Sequence, residues 1–279
     1  MYNLILLTAG AFIGLTYIIN KVLSRGSYRA STFTFTISCV NTIFSIPLLF
    51  TNMYITKSPL LWLIIVLSAF IFGLSSYFSF KAYKLSDATT VSLLHKLDIV
   101  ITAIIGIIFL HEQYSPTSYL GLALIVTSNI VLILEGRRLK IDKEIIYILL
   151  MALTSALAAI IDKVVLKDFS AFTYVFINNL LISVMFAIPK GTFKEAVNLF
   201  RENKLLVVST SALNVGAWGA FLFVLQHTDV SKTYPIYTSL SIIVPVVLGI
   251  FVLRETNKLW QKILGSIIGV IGIIMLMSP

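Results

Sequence analysis

Asp98 and His95 lie three residues apart inside an apolar stretch, with Lys96 between them, in the run Ser92-Leu93-Leu94-His95-Lys96-Leu97-Asp98. A charge at membrane depth costs a few kcal/mol or more on insertion scales, so such groups face a cavity, a pathway or one another. Val91, His95, Asp98, Thr102 and Gly106 fall at i, i+4, i+7, i+11 and i+15, along one face of a helix. The chemistry open to that face is proton transfer at His95 or Asp98. Two readings of Asp98 stand: it lines a cavity, or it pairs locally with His95 as a structural hydrogen bond. Lys96 lies about 160° around the helix from Asp98, given about 100° per residue, so the two do not face one cavity squarely. Lys96 either snorkels, contacts a neighbouring helix, or binds an anion.

The equivalent face of a later apolar run carries Tyr234, Thr238, Ser241, Pro245 and Gly249. Two matched polar faces suggest one central cavity, for which Tyr17, Tyr77, His95, Lys96, Asp98, Asn214, Trp218, Tyr234, Thr238 and Ser241 are the expected lining. Tyr17, Tyr77, Trp218 and Tyr237 suit a stacked ring or a cation, and equally suit ordinary membrane packing. Asn20-Lys21 and Asp162-Lys163 sit near the ends of their runs, as interface anchors or as ligand contacts. Asp162 joins Asp98 and His95 as a proton-coupling candidate. The histidines at 95, 111 and 227 are dispersed, and P-loop, HExxH and GxSxG patterns are missing. No metal site, cofactor or enzyme is expected.

The elements that must position these residues are transmembrane helices. Of 279 residues 58% are hydrophobic and 12% charged, against roughly 25% charged in soluble domains. A bilayer core about 30 Å thick takes roughly 20 apolar residues per crossing. Runs of that kind fall near 2–22, 32–51, 59–83, 87–110, 117–135, 144–166, 171–189, 204–227, 231–253 and 258–277. The net charge of +9 comes from short basic clusters between runs, so it marks topology and not nucleic-acid binding. Cys39 is the single cysteine, which excludes a disulfide framework within the chain. The first run has no charged leader and reads as a retained helix.

Pro59 and Pro116 suit first-turn positions, Asp87 and Asp229 suit N-caps, and Lys190-Gly191 suits a helix stop. Between the seventh and eighth runs, Phe193, Val197 and Phe200 share one face and Lys194, Glu195, Arg201 and Glu202 the other, as in an interfacial helix. Odd-numbered loops hold 16 Lys and Arg residues and even-numbered loops 4. The positive-inside rule then puts both termini outside.

Internal repetition organises the chain. Asn20-Lys21-Val22 recurs as Asp162-Lys163-Val164 and Ile46-Pro47 as Ile188-Pro189, at an offset of 142. Gly106 matches Gly249 and Glu112 matches Glu255 at 143, and Gly121 matches Gly265 at 144. Five helices is an odd number, so the second copy enters the bilayer from the opposite side, as in many transporters. The expected fold is an all-α integral membrane protein of ten transmembrane helices in two inverted five-helix repeats, 1–137 and 143–279. Gly10 with Gly14, and Gly265 with Gly269, form GxxxG pairs suited to close helix packing.

These segments resemble the drug/metabolite transporter superfamily, and within it the EamA-type ten-helix transporters. The telling stretches are Ser92 to Asp98 through Phe109-Leu110-His111-Glu112, and Tyr234-Pro235-Ile236 through Leu253-Arg254-Glu255. His111 and Arg254 stand where the family usually shows glycine. Relatives move amino acids, nucleobases, sugars, choline, sugar phosphates and drugs, generally outward in bacteria. The resemblance implies a secondary-active exporter of a small metabolite or drug-like molecule, working by alternating access in the inner membrane. A lipid-handling or scaffold protein is the alternative. Expected partners are a small-molecule substrate and the bilayer; a monomer suffices, with a dimer open.

Overall fold

The structure is a computed structural model that describes residues 2–51, 54–110, 114–135, 138–139, 141–228 and 230–276. His111, Glu112 and Asp229, singled out above, lie outside the described residues. The first half comprises α1 (Tyr2–Ser24), α2 (Ala30–Ser45), α3 (Pro59–Leu85), α4 (Ala88–Leu94), α5 (Leu97–Leu110) and α6 (Pro116–Ile133). The second comprises α7 (Lys143–Val165), α8 (Ala171–Phe186), α9 (Thr192–Glu202), α10 (Lys204–Leu225), α11 (Val230–Phe251) and α12 (Leu259–Leu276). A short antiparallel pair, Leu134–Glu135 with Arg138–Leu139, joins the halves.

Among the described residues nine helical stretches are long and apolar enough to cross a membrane, with α4 and α5 forming one stretch together. The remaining apolar helix, α8, has 16 residues. At 1.5 Å per residue it covers less than a full bilayer core. The repeat explains this, because its counterpart α2 also has 16 residues before the chain tightens into a 3-10 turn over Ile46–Phe50.

Pro59 and Pro116 open α3 and α6 as expected, where a missing N–H costs nothing. Two caps escaped the sequence reading: Ser115 Oγ accepts from Ser118 N, and Ser170 Oγ from Thr173 N. Lys190-Gly191 is not the stop of α8, which ends at Phe186; Gly191, at φ 80°, is the N-cap residue of α9. That left-handed conformation suits glycine. In α9 the side buried against the protein is Thr192, Ala196 and Leu199, while Phe193 is exposed, so the apolar face divides between protein and surroundings.

Helices α3 and α7, α1 and α10, α1 and α11, α2 and α8, and α6 and α12 pack in pairs. All of these pairs join a helix of one half to a helix of the other, so each half completes the other's core. Small residues permit the closest approaches. A Cβ on Gly10 would overlap the Tyr237 carbonyl, and one on Gly121 would lie 2.5 Å from the Gly272 carbonyl oxygen.

Candidate functional site

The fourth apolar run is not one continuous helix. α4 ends at Leu94 and α5 begins at Leu97, and across the break the main chain uses i to i−3 bonds: Lys96 N to Leu93 O, Asp98 N to His95 O, and Ile99 N to Lys96 O, at 3.2, 2.9 and 3.1 Å. A tightened turn inside a helix often marks a functional hinge. Broken helices at mid-depth also build binding sites in transporters. His95 lies in the break and Asp98 just beyond it, and both are buried, with side chains 6% and 1% exposed.

The N-terminus of α4 is held from the other half. Glu255 accepts from Ala88 N, Thr89 N and Thr89 Oγ1 at 2.8, 2.9 and 2.7 Å. A carboxylate there satisfies free amides and favours the positive helix end. Asp87 is therefore released from the N-cap bond expected of it and receives Lys262 Nζ at 2.7 Å instead. The acidic residue of the second repeat is thus a cap on a helix of the first.

Around His95 the polar groups form a chain. Its Nδ1 is 3.1 Å from Tyr17 Oη, its Nε2 is 3.0 Å from Ser155 Oγ and 3.5 Å from Asp98 Oδ2, and Ser155 Oγ is 2.8 Å from Ser75 Oγ. Tyr234 Oη donates to Asp98 Oδ2 at 2.7 Å, while Asp98 Oδ1 is buried without a hydrogen-bond partner among the described residues. Asp98 thus stands in the cavity wall, and its 3.5 Å approach to His95 is not the local hydrogen bond of the other reading, since His95 Nε2 bonds to Ser155 Oγ. Asp162 forms a second polar centre. Its oxygens accept from Tyr174 Oη at 2.7 Å and Trp218 Nε1 at 3.3 Å, and Tyr174 Oη is 2.5 Å from Ser68 Oγ.

These centres share one cavity of about 220 Å³. Of the expected lining, Tyr17, His95, Asp98, Asn214, Trp218, Tyr234, Thr238 and Ser241 are in its wall, and so is Asp162, expected only as a proton-coupling candidate. Two are not. Lys96 is buried behind the wall, where its Nζ donates to Ser241 Oγ at 2.8 Å. Tyr77 lies outside, edge-on to Phe78 and beneath the Lys81 ammonium, 5.5 Å from its ring centre. The sequence reading passed over Thr16, Ser75, Ser155, Phe72 and Phe221, and the α2 contributions Phe33 and Ile37. Isolated serines carry no signal of their own. Ser155 could have been found only by asking which hydroxyl faces the His95 ring.

The model of the EamA-like transporter family matches the chain twice, over residues 1–134 and 142–278. A Sinorhizobium protein described as an uncharacterized transporter in the cobO 3' region is 41% identical over 71 residues, which are 25% of this chain and 50% of that protein. The match thus spans about half the length of that curated relative. A solved crystal structure of a protein not further described superposes with a TM-score of 0.63 at 14% identity, over 98% of this chain and 95% of the other. That likeness is one of fold.

Proposed function

The chain belongs to the EamA-like transporter family, and from that premise we propose that it is a secondary-active carrier that exports a small metabolite across the inner membrane by alternating access. The observation that carries this reading is a single cavity walled by α1, α2, α3 and α5 of one half and by α7, α10 and α11 of the other. A site between two inverted halves is exposed to either side in turn when one half rocks against the other. Its volume of about 220 Å³ lies below the roughly 300–1,000 Å³ of pockets for drug-sized ligands, which favours a small metabolite over a bulky drug.

Proton coupling runs through Asp98, the carboxylate nearest the helix break, with His95 beside it and Asp162 further along the wall. Outward movement follows from the family resemblance, and termini outside follow from the 16-to-4 distribution of basic residues. One chain contains both walls of the cavity, so a monomer is sufficient.

The test is flux in proteoliposomes containing the purified chain, driven by an imposed pH gradient. The wild type should move a small metabolite from a mixed panel, and Asp98→Asn should retain the wild-type melting temperature while losing pH-driven flux by about tenfold or more, equivalent to about 1.4 kcal/mol. Undiminished pH-driven flux by folded Asp98→Asn removes Asp98 from the coupling. Absence of flux for every solute, with lipid transfer instead, favours the lipid-handling alternative.

A further inference from the structure

The cavity wall contains two carboxylates and, among the described residues, neither lysine nor arginine. The nearby ammonium groups are occupied elsewhere. Lys96 Nζ is bound to Ser241 Oγ at 2.8 Å. Lys21 Nζ is bound to the Tyr83 and Ser86 carbonyls at 2.8 Å each. An anionic ligand would therefore meet two acids without a free cation to receive it.

The two acids are not equivalent. Both Asp162 oxygens have donors, from Tyr174 and Trp218. Asp98 has one donor, Tyr234 on Oδ2, and its Oδ1 is buried without any among the described residues. A buried acceptor left unpaired carries the desolvation penalty of an unmade bond. An ammonium ligand removes that penalty and compensates the charge. Of the two carboxylates Asp98 alone has an oxygen without a donor among the described residues, so a single ammonium completes the site. Tyr17, Trp218 and Tyr237 stand in the same wall, and aromatic faces attract cations.

We infer that the cavity takes a small monovalent organic amine, its ammonium on Asp98 and its apolar part against Tyr17, Trp218 and Tyr237. This inference rests on the transporter reading and names the substrate class of the same site.

The test measures binding by calorimetry and thermal shift on the full chain in detergent, separately from flux. The probes are ethanolamine, propylamine and 2-phenylethylamine, with 2-phenylethanol as the neutral match and 3-phenylpropionate as the anionic one. At least one amine should bind and raise the melting temperature, whereas the neutral and anionic matches should not. Asp98→Asn should weaken amine binding about tenfold or more, and Asp98→Glu, which keeps the charge, should preserve the preference for amines even if the Asn variant fails to fold. The inference is overturned if no amine binds at millimolar concentration, if the neutral or anionic match binds equally well, or if folded Asp98→Asn binds amines normally. Amine binding without flux in proteoliposomes counts against transport alone. Flux of a neutral or anionic solute without amine binding counts against the amine alone.

Discussion

Lys21 and Lys163 stand 142 residues apart and make the same pair of bonds, each to two main-chain carbonyls where a neighbouring helix ends. Lys21 Nζ donates to Tyr83 O and Ser86 O at 2.8 Å each, and Lys163 Nζ to Leu225 O and Thr228 O at 3.0 and 2.5 Å. The acceptors are themselves 142 residues apart. The last carbonyls of a helix lack intrahelical partners and carry partial negative charge, so an ammonium satisfies both needs. The repeated Lys-Val pair in the sequence is thus a repeated helix-end clamp. Lys21→Met and Lys163→Met are expected to destabilise the protein by similar amounts, about 1.5–3 kcal/mol each for bonds to a charged group. Melting curves in detergent check this; an unchanged melting temperature in either variant contradicts the clamp.

Much of this architecture can be read from composition and spacing. Apolar runs locate the helices to within a few residues, because bilayer thickness sets their length. The offset of 142 exposes the duplication because clamp residues such as Lys21 and Lys163 cannot drift without losing their carbonyls. The break at His95-Lys96 was not legible, since hydropathy and the polar face run through it without interruption. The fate of Lys96 depends on Ser241, 145 residues away, and no local pattern encodes that. Tyr77 was misplaced for a related reason: aromatic identity does not say whether a ring turns toward a cavity or, as here, toward Phe78 and Lys81.

The contact between α6 and α12 gives a packing prediction. A Cβ on Gly121 would lie 2.5 Å from Gly272 O and 2.6 Å from Leu276 N, both backbone atoms that cannot rotate aside. A Cβ on Gly216 would meet only Phe12 Cδ2 at 4.0 Å. Gly121→Ala should therefore cost about 1–3 kcal/mol through overpacking. Gly216→Ala should be neutral or slightly stabilising, since alanine gains about 0.5–1 kcal/mol over glycine inside a helix. Equal melting temperatures for the two variants would refute the close approach.

Glu195 on α9 holds the turn between α1 and α2, receiving Arg29 Nε at 2.5 Å, Arg29 N at 2.7 Å and Thr32 Oγ1 at 2.9 Å. Tyr28 donates to Glu202 on the same helix, and burial together with that bond pushes its hydroxyl up to about 12. At Glu195 burial acts to raise the carboxyl pKa, but the bonds from Arg29 and Thr32 outweigh it and hold the group below the usual carboxylate range. A depressed native value means that the associated stability is present above the unfolded pKa, about 4.3, and disappears as pH falls through the native value. Wild type should therefore melt above Glu195→Gln at pH 7, with the gap closing below about pH 4. A gap that persists or widens on acidification would show that the carboxylate is not the group responsible.

Lys96 and Ser241 supply the last prediction. Lys96 is 2% exposed and its ammonium donates to Ser241 Oγ, which in turn donates to Thr238 O at 2.7 Å. Removing the hydroxyl alone leaves a buried charge short of a partner, which costs more than the bond itself contributes. Removing both members leaves apolar groups that pack without that penalty. Ser241→Ala should consequently destabilise by about 1–3 kcal/mol, and adding Lys96→Met to it should restore part of the loss. Lys96 also offsets charge beside Asp98, so Lys96→Met alone should strengthen binding of any cation the cavity accepts and weaken that of an anion. A double-mutant cycle in melting temperature, with ligand titration on the single variants, separates the two roles. Strict additivity in the cycle would mean that the 2.8 Å bond contributes nothing, and unchanged affinity would mean that Lys96 does not act on the cavity.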